Sequence, residues 1–487
     1  MTHPLKVLFV AAEATPFVKV GGLADVAGAL PKAMVRRGHD VRLVIPCYSG
    51  VDKARWGLSD THHLVEVNNG KRRYEARVWE SLLGGTVKTY LVENDELLRR
   101  DRVYGEHDDL DRFLFLSRAA LALPRTMGWY PHVFHCNDWP TAFIPAILHN
   151  PLPAEEELAN AASLLTIHNM AYQGWFDPAW AAEADVARYV PPSQEIPNHL
   201  LWRALSLGIY YADALSTVSE TYAKEILTPQ LGQELDHLLR LRQRVLLGIT
   251  NGLDYEHFDP STDDQIFERY DVRSLDKKKA NKQALQRRMG LAQENTIPLV
   301  GNVGRLAEMK GVSLMLATVE SLLRDGQRLQ FATLGTGETE LEEQARGLAM
   351  QFPQQVTVVV DYNEALSQLV YSGSDIFFMP SRFEPCGLGQ LIAMRYGTIP
   401  VVHRTGGLAD TVRDGMTGFC FGEFSIQGAG QALRRALEAW QEEASWRQLM
   451  VNAMSQDFSW EASAAKYEEA YRLALTVHAE GRCQRLG

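Results

Sequence analysis

A glycine-turn motif occurs twice in the chain, as GGLADV at Gly21–Val26 and as GGLADTV at Gly406–Val412. Each copy follows an apolar run and a basic residue, Lys19 in the first and Arg404 in the second. Agreement over five residues exceeds what chance supplies within one chain. Paired glycines let a ligand or another backbone approach closely, and a helix that starts there turns its amide donors toward whatever approaches. A chain with this unit near both ends is expected to build two similar α/β lobes, each aiming a glycine turn at one cleft.

The residues around each copy support that reading. The N-terminal stretch is LKVLFVAAEATPFVKVGGLADVAGALPKAMVRRGHDVRLVIP. Leu5–Ala12 and Val41–Ile45 read as strands. Between them, apolar residues at 23, 26, 27, 30 and 34 form one helix face. Gly38 ends that helix, and Pro31 is expected to kink it near Leu30. Strand, turn, helix, strand is a βαβ unit with parallel strands. The GxGxxG dinucleotide spacing is absent, which disfavours an oxidoreductase. Residues 51–115 alternate polar and apolar patches, with VKTYLVEN strand-like and a charged loop through Arg99–Asp111. HVFHCNDW, SLLTIHNMAYQGWF and ALSTVSETYAKEI each place polar groups where a strand ends. After the Asn251-Gly252 turn, the charged stretch Asp259–Lys282 is expected to separate the halves. The second half repeats the pattern in IPLVGNVGRLAEMKGV, LQFATLGTGE, VTVVVDYNEA, DIFFMPSRFE and TIPVVHRTGGLADTV. Three helical stretches from about Ile426 to Ala479 close the chain. Two successive β/α runs predict two doubly wound domains facing across a cleft.

A chain of 487 residues is too long for one ordinary core, which agrees with two domains. No apolar run approaches the ~20 residues of a membrane span, and the run ending at Glu13 reads as a first strand rather than a signal peptide. Lys+Arg 49 against Asp+Glu 60 leaves a net charge of −11 without a long basic run, so neither nucleic acid nor a membrane is the expected partner. The cysteines at 47, 136, 386, 420 and 483 are odd in number and lack CxxC spacing. They suit free thiols in a reducing cytoplasm and speak against a disulfide framework or a structural zinc.

Several residues stand where an α/β protein places its ligands, beyond the carboxyl ends of strands. In IFFMPSRFEPCGLGQL, an apolar strand runs into a loop carrying Glu384, which is either a ligand clamp or a solvated acid. Arg305 and Lys310 in GRLAEMKG follow another strand end and suit a diphosphate, the alternative being solvated surface charge. Paired cations can replace a metal in neutralising such a leaving group, so no metal or cofactor is expected. His168 ends a strand and either hydrogen-bonds a substrate or caps a turn. Asp138 is a candidate site acid, or an ordinary helix N-cap. Tyr172 and Trp175 offer faces suited to sugar rings, though core packing is the commoner fate of aromatics. Cys386, without an obvious histidine partner, reads as packing or thiol-sensitive rather than nucleophilic.

Taken together, these stretches closely resemble the bacterial glycogen synthase and plant starch synthase family, retaining glucosyltransferases that use ADP-glucose. The matching segments are KVGGLAD from Lys19, HCNDW at 135–139, HNMAYQG at 168–174, NGLD at 251–254, RLAEMKG at 305–311, SRFEPCGL at 381–388 and RTGGLADTV at 404–412. They span nearly the whole chain in the family's order. The resemblance implies a GT-B fold, with a Rossmann-like acceptor-side domain over 1–250, a donor-side domain over 251–460, and a helix over 461–487 crossing back to the first. It implies donor contacts from Lys19, Gly21, Gly22, Asn251, Arg305, Lys310, Glu384, Cys386, Gly387, Leu388 and Gly389, with Tyr362 near the adenine. Glu384, His168, Asp138, Arg305 and Lys310 are the implied catalytic set, and Asp25, Asp138, Asn169 and Tyr172 face the acceptor, glycogen or a maltooligosaccharide. Retention often uses two carboxylates in a double displacement, but no such pair stands out. Glu384 is therefore expected to position the glucose, with attack from the face that ADP leaves. The chain departs from the family pattern at Gly389, where a threonine is usual, and in NHLLWRALSLGIYYAD and GQELDHLL, the latter holding Glu234 and His237. These departures bear on glucan and nucleotide preference. Competing readings are a GT-B transferase with another nucleotide or a short acceptor, and a non-catalytic glucan-binding relative.

Overall fold

The computed structural model describes residues 3–151, 157–191, 196–361 and 363–486. The chain divides into two compact units, Met1–Gly252 with Trp460–Gly487, and Leu253–Ser459.

The sheet of the first unit has nine strands among the described residues. They are β1 (Lys6–Val10), β2 (Asp40–Pro46), β3 (Ser59–Asn69), β4 (Arg72–Leu83), β5 (Val87–Glu93), β6 (Val133–Asn137), β7 (Ala162–Ile167), β8 (Ala214–Thr217) and β9 (Leu246–Gly248). The spatial order is β3-β4-β5-β2-β1-β6-β7-β8-β9. Pairing is parallel except where β4 meets β3 and β5. The helix Gly22–Arg36 joins β1 to β2, and Leu23, Val26, Ala27, Leu30 and Met34 are all buried, as their spacing predicts. It continues past Pro31 to Arg36. The alternation in residues 51–115 is in part an antiparallel hairpin. β3 turns into β4 at Gly70, whose φ of +63° favours glycine.

From the chain's end, the helix Trp460–Leu486 belongs to this same unit. Ala464, Tyr467, Ala470, Tyr471 and Ala474 are buried at helical spacing. Tyr471 Oη lies 2.9 Å from Nδ1 of the buried His135 in β6, and Arg37 pairs with Glu468 at 2.7 Å.

The second unit has a six-stranded parallel sheet among the described residues, ordered β12-β11-β10-β13-β14-β15. Its strands are β10 (Leu299–Val303), β11 (Gln330–Leu334), β12 (Val356–Val359), β13 (Ile376–Met379), β14 (Ile399–His403) and β15 (Phe419–Phe421). Such apolar runs suit strands covered on both faces. The charged stretch 259–282 does not separate the units, because the division falls at Gly252/Leu253. Two of its lysines are buried and partnered inside the second unit. Lys278 Nζ donates to the carbonyls of Ser372 at 2.7 Å and Tyr371 at 3.2 Å, and Lys282 pairs with Asp375 at 2.6 Å.

In each sheet the chain winds outward from one strand and returns beside it, so the order reverses between β1 and β6 and between β10 and β13. Connections diverge at such a point and leave a crevice beyond the strand ends. Among the described residues, no helix is long and apolar enough to cross a membrane.

Candidate active site

Beyond β10 and β13, the second unit gathers Arg305, Lys310 and Glu384. Gly311 has φ +69°, and a Cβ there would lie 2.0 Å from the Pro380 carbonyl oxygen, so only glycine lets the two loops close. Arg382 N donates to Met309 O at 3.1 Å and ties them together. Lys310 Nζ then reaches Glu384 Oε2 at 2.6 Å, and Ser381 Oγ donates to the same oxygen at 3.0 Å. The Glu384 side chain is 7% exposed. It is therefore a held carboxylate and not a solvated loop acid. Arg305 is exposed, donates to Met309 Sδ at 3.4 Å, and has no carboxylate partner among the described residues. It is a cation at a strand end without a compensating charge.

The loop from Pro385 to Gly389 is braced from behind. Gln390 Nε2 donates to the carbonyls of Cys386 at 3.1 Å and Gly387 at 3.0 Å. Gly407 N donates to the carbonyls of Glu384 and Pro385, each at 3.1 Å. His403 Nδ1 lies 2.9 Å from Ser381 O, a carbonyl that can only accept. Leu388 caps the short helix Gly389–Arg395. At Gly389, a Cβ would come within 3.1 Å of the Phe377 ring and 3.4 Å of Tyr371 Oη. Two packed rings thus crowd the place of the threonine usual in the family. Cys386 is buried.

Beyond β1 and β6, the first unit gathers acids. Glu13 is 2% exposed and accepts from Val20 N at 2.5 Å, Gly21 N at 3.0 Å and Tyr104 Oη at 3.1 Å. Burial raises its carboxyl pKa against the pull of those donors. Asp138 stands at the N-cap position of the short 3-10 helix Trp139–Thr141, but its side chain makes no cap bond there. Its carboxylate crosses to the end of β7 and accepts from His168 N at 2.7 Å and Asn169 N at 3.4 Å. The reason is its backbone, at φ 54° and ψ −174°. That region is almost confined to glycine and costs of order 1–3 kcal/mol, an expense seen mainly at functional sites. Burial pushes its pKa up to about 7, with Glu13 nearby adding to the rise and the two amides opposing it.

His168 Nε2 lies 3.0 Å from Asn137 Oδ1. Asn137 Nδ2 donates to the carbonyls of Val10 and His135, which makes Oδ1 the acceptor and places the proton on Nε2. Nδ1 is left with a lone pair. Burial lowers the His168 pKa to about 3, so the ring is neutral.

The remaining candidates are placed unevenly. Lys19 and Asp25 pair with each other at 2.7 Å on the exposed glycine turn. Asn169 Oδ1 accepts from Ala171 N at 2.9 Å, a local turn. Tyr172 is exposed. Asn251 is buried, and its Oδ1 has no hydrogen-bond partner among the described residues. Tyr362 lies outside the described residues. Glu13, Tyr104, Asn137 and Ser381 were not singled out from the sequence. The available signal for Glu13 was an acid directly after a buried strand.

Two α/β sheets, the second wholly and the first largely parallel, with polar loops at both switch points form the two-domain architecture of the GT-B glycosyltransferases. A sucrose-phosphate synthase from Thermosynechococcus elongatus shares the fold, with a TM-score of 0.60 at 18% identity over 96% of this chain and 98% of its own. A solved structure described as the catalytic domain of starch synthase IV from Arabidopsis thaliana, bound to ADP and acarbose, aligns with a TM-score of 0.89 at 34% identity, covering 97% of this chain and 100% of that one. Residues 6–241 match the starch synthase catalytic domain family, and residues 286–449 match glycosyl transferases group 1. A glycogen synthase of Anaeromyxobacter sp. is 44% identical over 96% of this chain and 99% of its own length, and one of Geotalea daltonii is 42% identical over 97% and 99%. The chain belongs to the glycogen synthase and starch synthase family.

Proposed function

We propose that the chain transfers glucose from ADP-glucose to the non-reducing 4-hydroxyl of an α-1,4-glucan, with retention of configuration. The observation that carries this reading is Glu384, held by Lys310 and Ser381 beside the uncompensated Arg305 at the second unit's switch point. Arg305 and Lys310 bind the donor diphosphate and stabilise its charge as ADP departs. Glu384, fixed by two donors, grips hydroxyls of the transferred glucose and loses little entropy in doing so. The Cys386–Gly389 backbone borders the same group.

In the first unit, neutral His168 accepts a sugar hydroxyl through Nδ1, while Asp138 holds the His168 and Asn169 amides in place. Lys19, Gly21, Gly22 and Asn251 contribute to the donor, and Asp25, Asn169 and Tyr172 to the acceptor. The acceptor oxygen bonds to C1 on the face that the diphosphate oxygen leaves, and its proton passes to that oxygen. Glu384 positions and forms no covalent bond, so a trapped glucosyl-enzyme would overturn this step.

The test is nucleotide release from ADP-, UDP- and GDP-glucose in turn, with and without glycogen. Glycogen-dependent ADP release is expected. Equal or better use of UDP-glucose would overturn the donor assignment, and no release with any donor would overturn transfer itself.

A further inference from the structure

Among the described residues, the exposed aromatic rings are Tyr130, Tyr172, Trp175 and Phe267, and two of these four share one turn beside Asp138. That turn starts at His168 and Asn169, whose amides the Asp138 carboxylate takes. Further along, Gly174 at φ +64° packs so closely on Trp139 that a Cβ would lie 2.3 Å from its ring. Residues 173–176 then run beside 202–205. Phe176 N donates to Trp202 O at 3.0 Å, Ala204 N to Gly174 O at 2.8 Å, and Leu205 N to Gln173 O at 3.0 Å.

This pairing sets Trp175 against Arg203, whose guanidinium carbon lies 3.5 Å from the ring centroid. The Arg203 side chain is 1% exposed, while Trp175 stays 57% exposed. The guanidinium is held in turn by Gln173 Oε1 at 2.5 Å and by the Glu234 carboxylate. Glu234 and Gln233 both adopt positive φ, 68° and 50°, where side-chain-bearing residues are uncommon. The Gln233 carbonyl accepts from Gln173 Nε2 at 2.9 Å. Arg203 and Glu234 come from the two stretches where the sequence departs from the family pattern. The structure joins those departures under one ring.

We propose that Trp175, braced on its inner face by Arg203 and Glu234, is a stacking platform for a glucosyl ring of the glucan acceptor. The inner face is already covered by a cation, and a second cation outside would be repelled. The outer face is open and rigid, with little side-chain freedom left to lose on binding. A neutral pyranose presents an apolar C–H face to such a ring, and its rim hydroxyls stay in water. Tyr172, three residues earlier in the turn, is likewise exposed. The inference rests on the glucan-acceptor reading and adds a residue that sets acceptor affinity.

The test compares the full-length wild type with Trp175→Ala and Trp175→Phe. Maltoheptaose binding is measured by calorimetry, and KM is measured separately for maltoheptaose and for ADP-glucose. Trp175→Ala is expected to weaken maltoheptaose binding and raise its KM by about tenfold, with Trp175→Phe losing about two- to threefold. The KM for ADP-glucose is expected to stay within about twofold. Glu234→Gln, which loosens the brace, is expected to fall between wild type and Trp175→Ala. If Trp175→Ala melts early, the well-folded Trp175→Phe decides by the same ratio. Unchanged maltoheptaose binding in a folded variant overturns the platform, and so does a rise confined to ADP-glucose, which would assign the ring to the nucleotide. If the wild type neither binds maltoheptaose nor releases ADP with any glucan, the functional reading fails and takes this inference with it. If the wild type is active and the variants match it, only the platform fails.

Discussion

The two GGLAD turns share five letters and hold their glycines for opposite reasons. In the first, a Cβ on Gly22 would meet nothing within 4 Å, and one on Gly21 would meet only Glu13 Oε1 at 3.6 Å. Those glycines lie open, and the Glu13 carboxylate takes the Val20 and Gly21 amides from beneath. In the second, a Cβ on Gly406 would lie 2.0 Å from the Glu384 carbonyl oxygen and one on Gly407 2.1 Å from that of Cys386. Those glycines are buried and exist to let the loop that carries Glu384 settle on them. The acids at the two switch points differ as well, since Asp138 is held by backbone amides and Glu384 by a lysine and a serine. The repeated letters do not repeat one backbone shape, since Gly21 is extended at φ −138° and Gly406 sits at φ +41°, and neighbouring atoms assign each turn its role.

The largest effect that tests this contrast is at Glu384. Glu384→Ala is expected to lower glycogen-dependent ADP release by about 10³-fold with the melting temperature little changed. Activity near wild type would remove the loop from the chemistry. Next comes Gly407→Ala, whose methyl must displace the Cys386 carbonyl. A loss of about 3 kcal/mol in denaturant unfolding is expected, and a neutral result would end the claim that this turn is a packing device. Glu13→Ala leaves the part-buried Val20 and Gly21 amides and the Tyr104 hydroxyl without this acceptor and should cost about 1 kcal/mol, measured the same way.

Asp138 gives a pH signature. Its folded pKa of about 7 lies above the ordinary 3.8. If the ionised form works, activity should fall about tenfold from pH 8 to pH 6, while His168, pushed to about 3, stays neutral throughout. A raised pKa also means that this group's stabilisation is complete below the unfolded value and is lost as pH rises through 7. Asp138→Asn should therefore flatten the acid limb of the activity profile and gain stability relative to wild type between pH 5 and 8. An unaltered limb would assign the titration elsewhere. The smallest effect is expected at Gly22→Ala, within about 0.5 kcal/mol in stability, with reduced activity if a ligand approaches that backbone. A destabilisation matching Gly407→Ala would erase the difference between the turns.

Much of the fold was legible because parallel strands are apolar throughout and the helix Gly22–Arg36 shows one buried face at regular spacing. Periodicity survives without knowledge of neighbours. The hairpin β3–β4 was harder to read, since a half-exposed strand looks like any alternating loop. The charge run at 259–282 was misread as a separator because the partners that bury it, Asp375 and the 371–372 carbonyls, lie about a hundred residues away. The site divided in the same way. Arg305, Lys310, Glu384, Asp138 and His168 stand at strand ends, which the sequence marks by itself. Glu13, which looked only like the end of a strand, became a clamp once the chain returned to it.

By itself, then, the sequence determined the alternation of strands and helices, the family, and which polar residues follow which strand, because each rests on local order along the chain. Only the tertiary structure decided that Lys310 holds Glu384, that Asp138 crosses to His168, and that Arg203 and Glu234 meet under Trp175. Those are contacts across tens of residues or more, set by which strand ends lie side by side and by the glycines that let their loops touch.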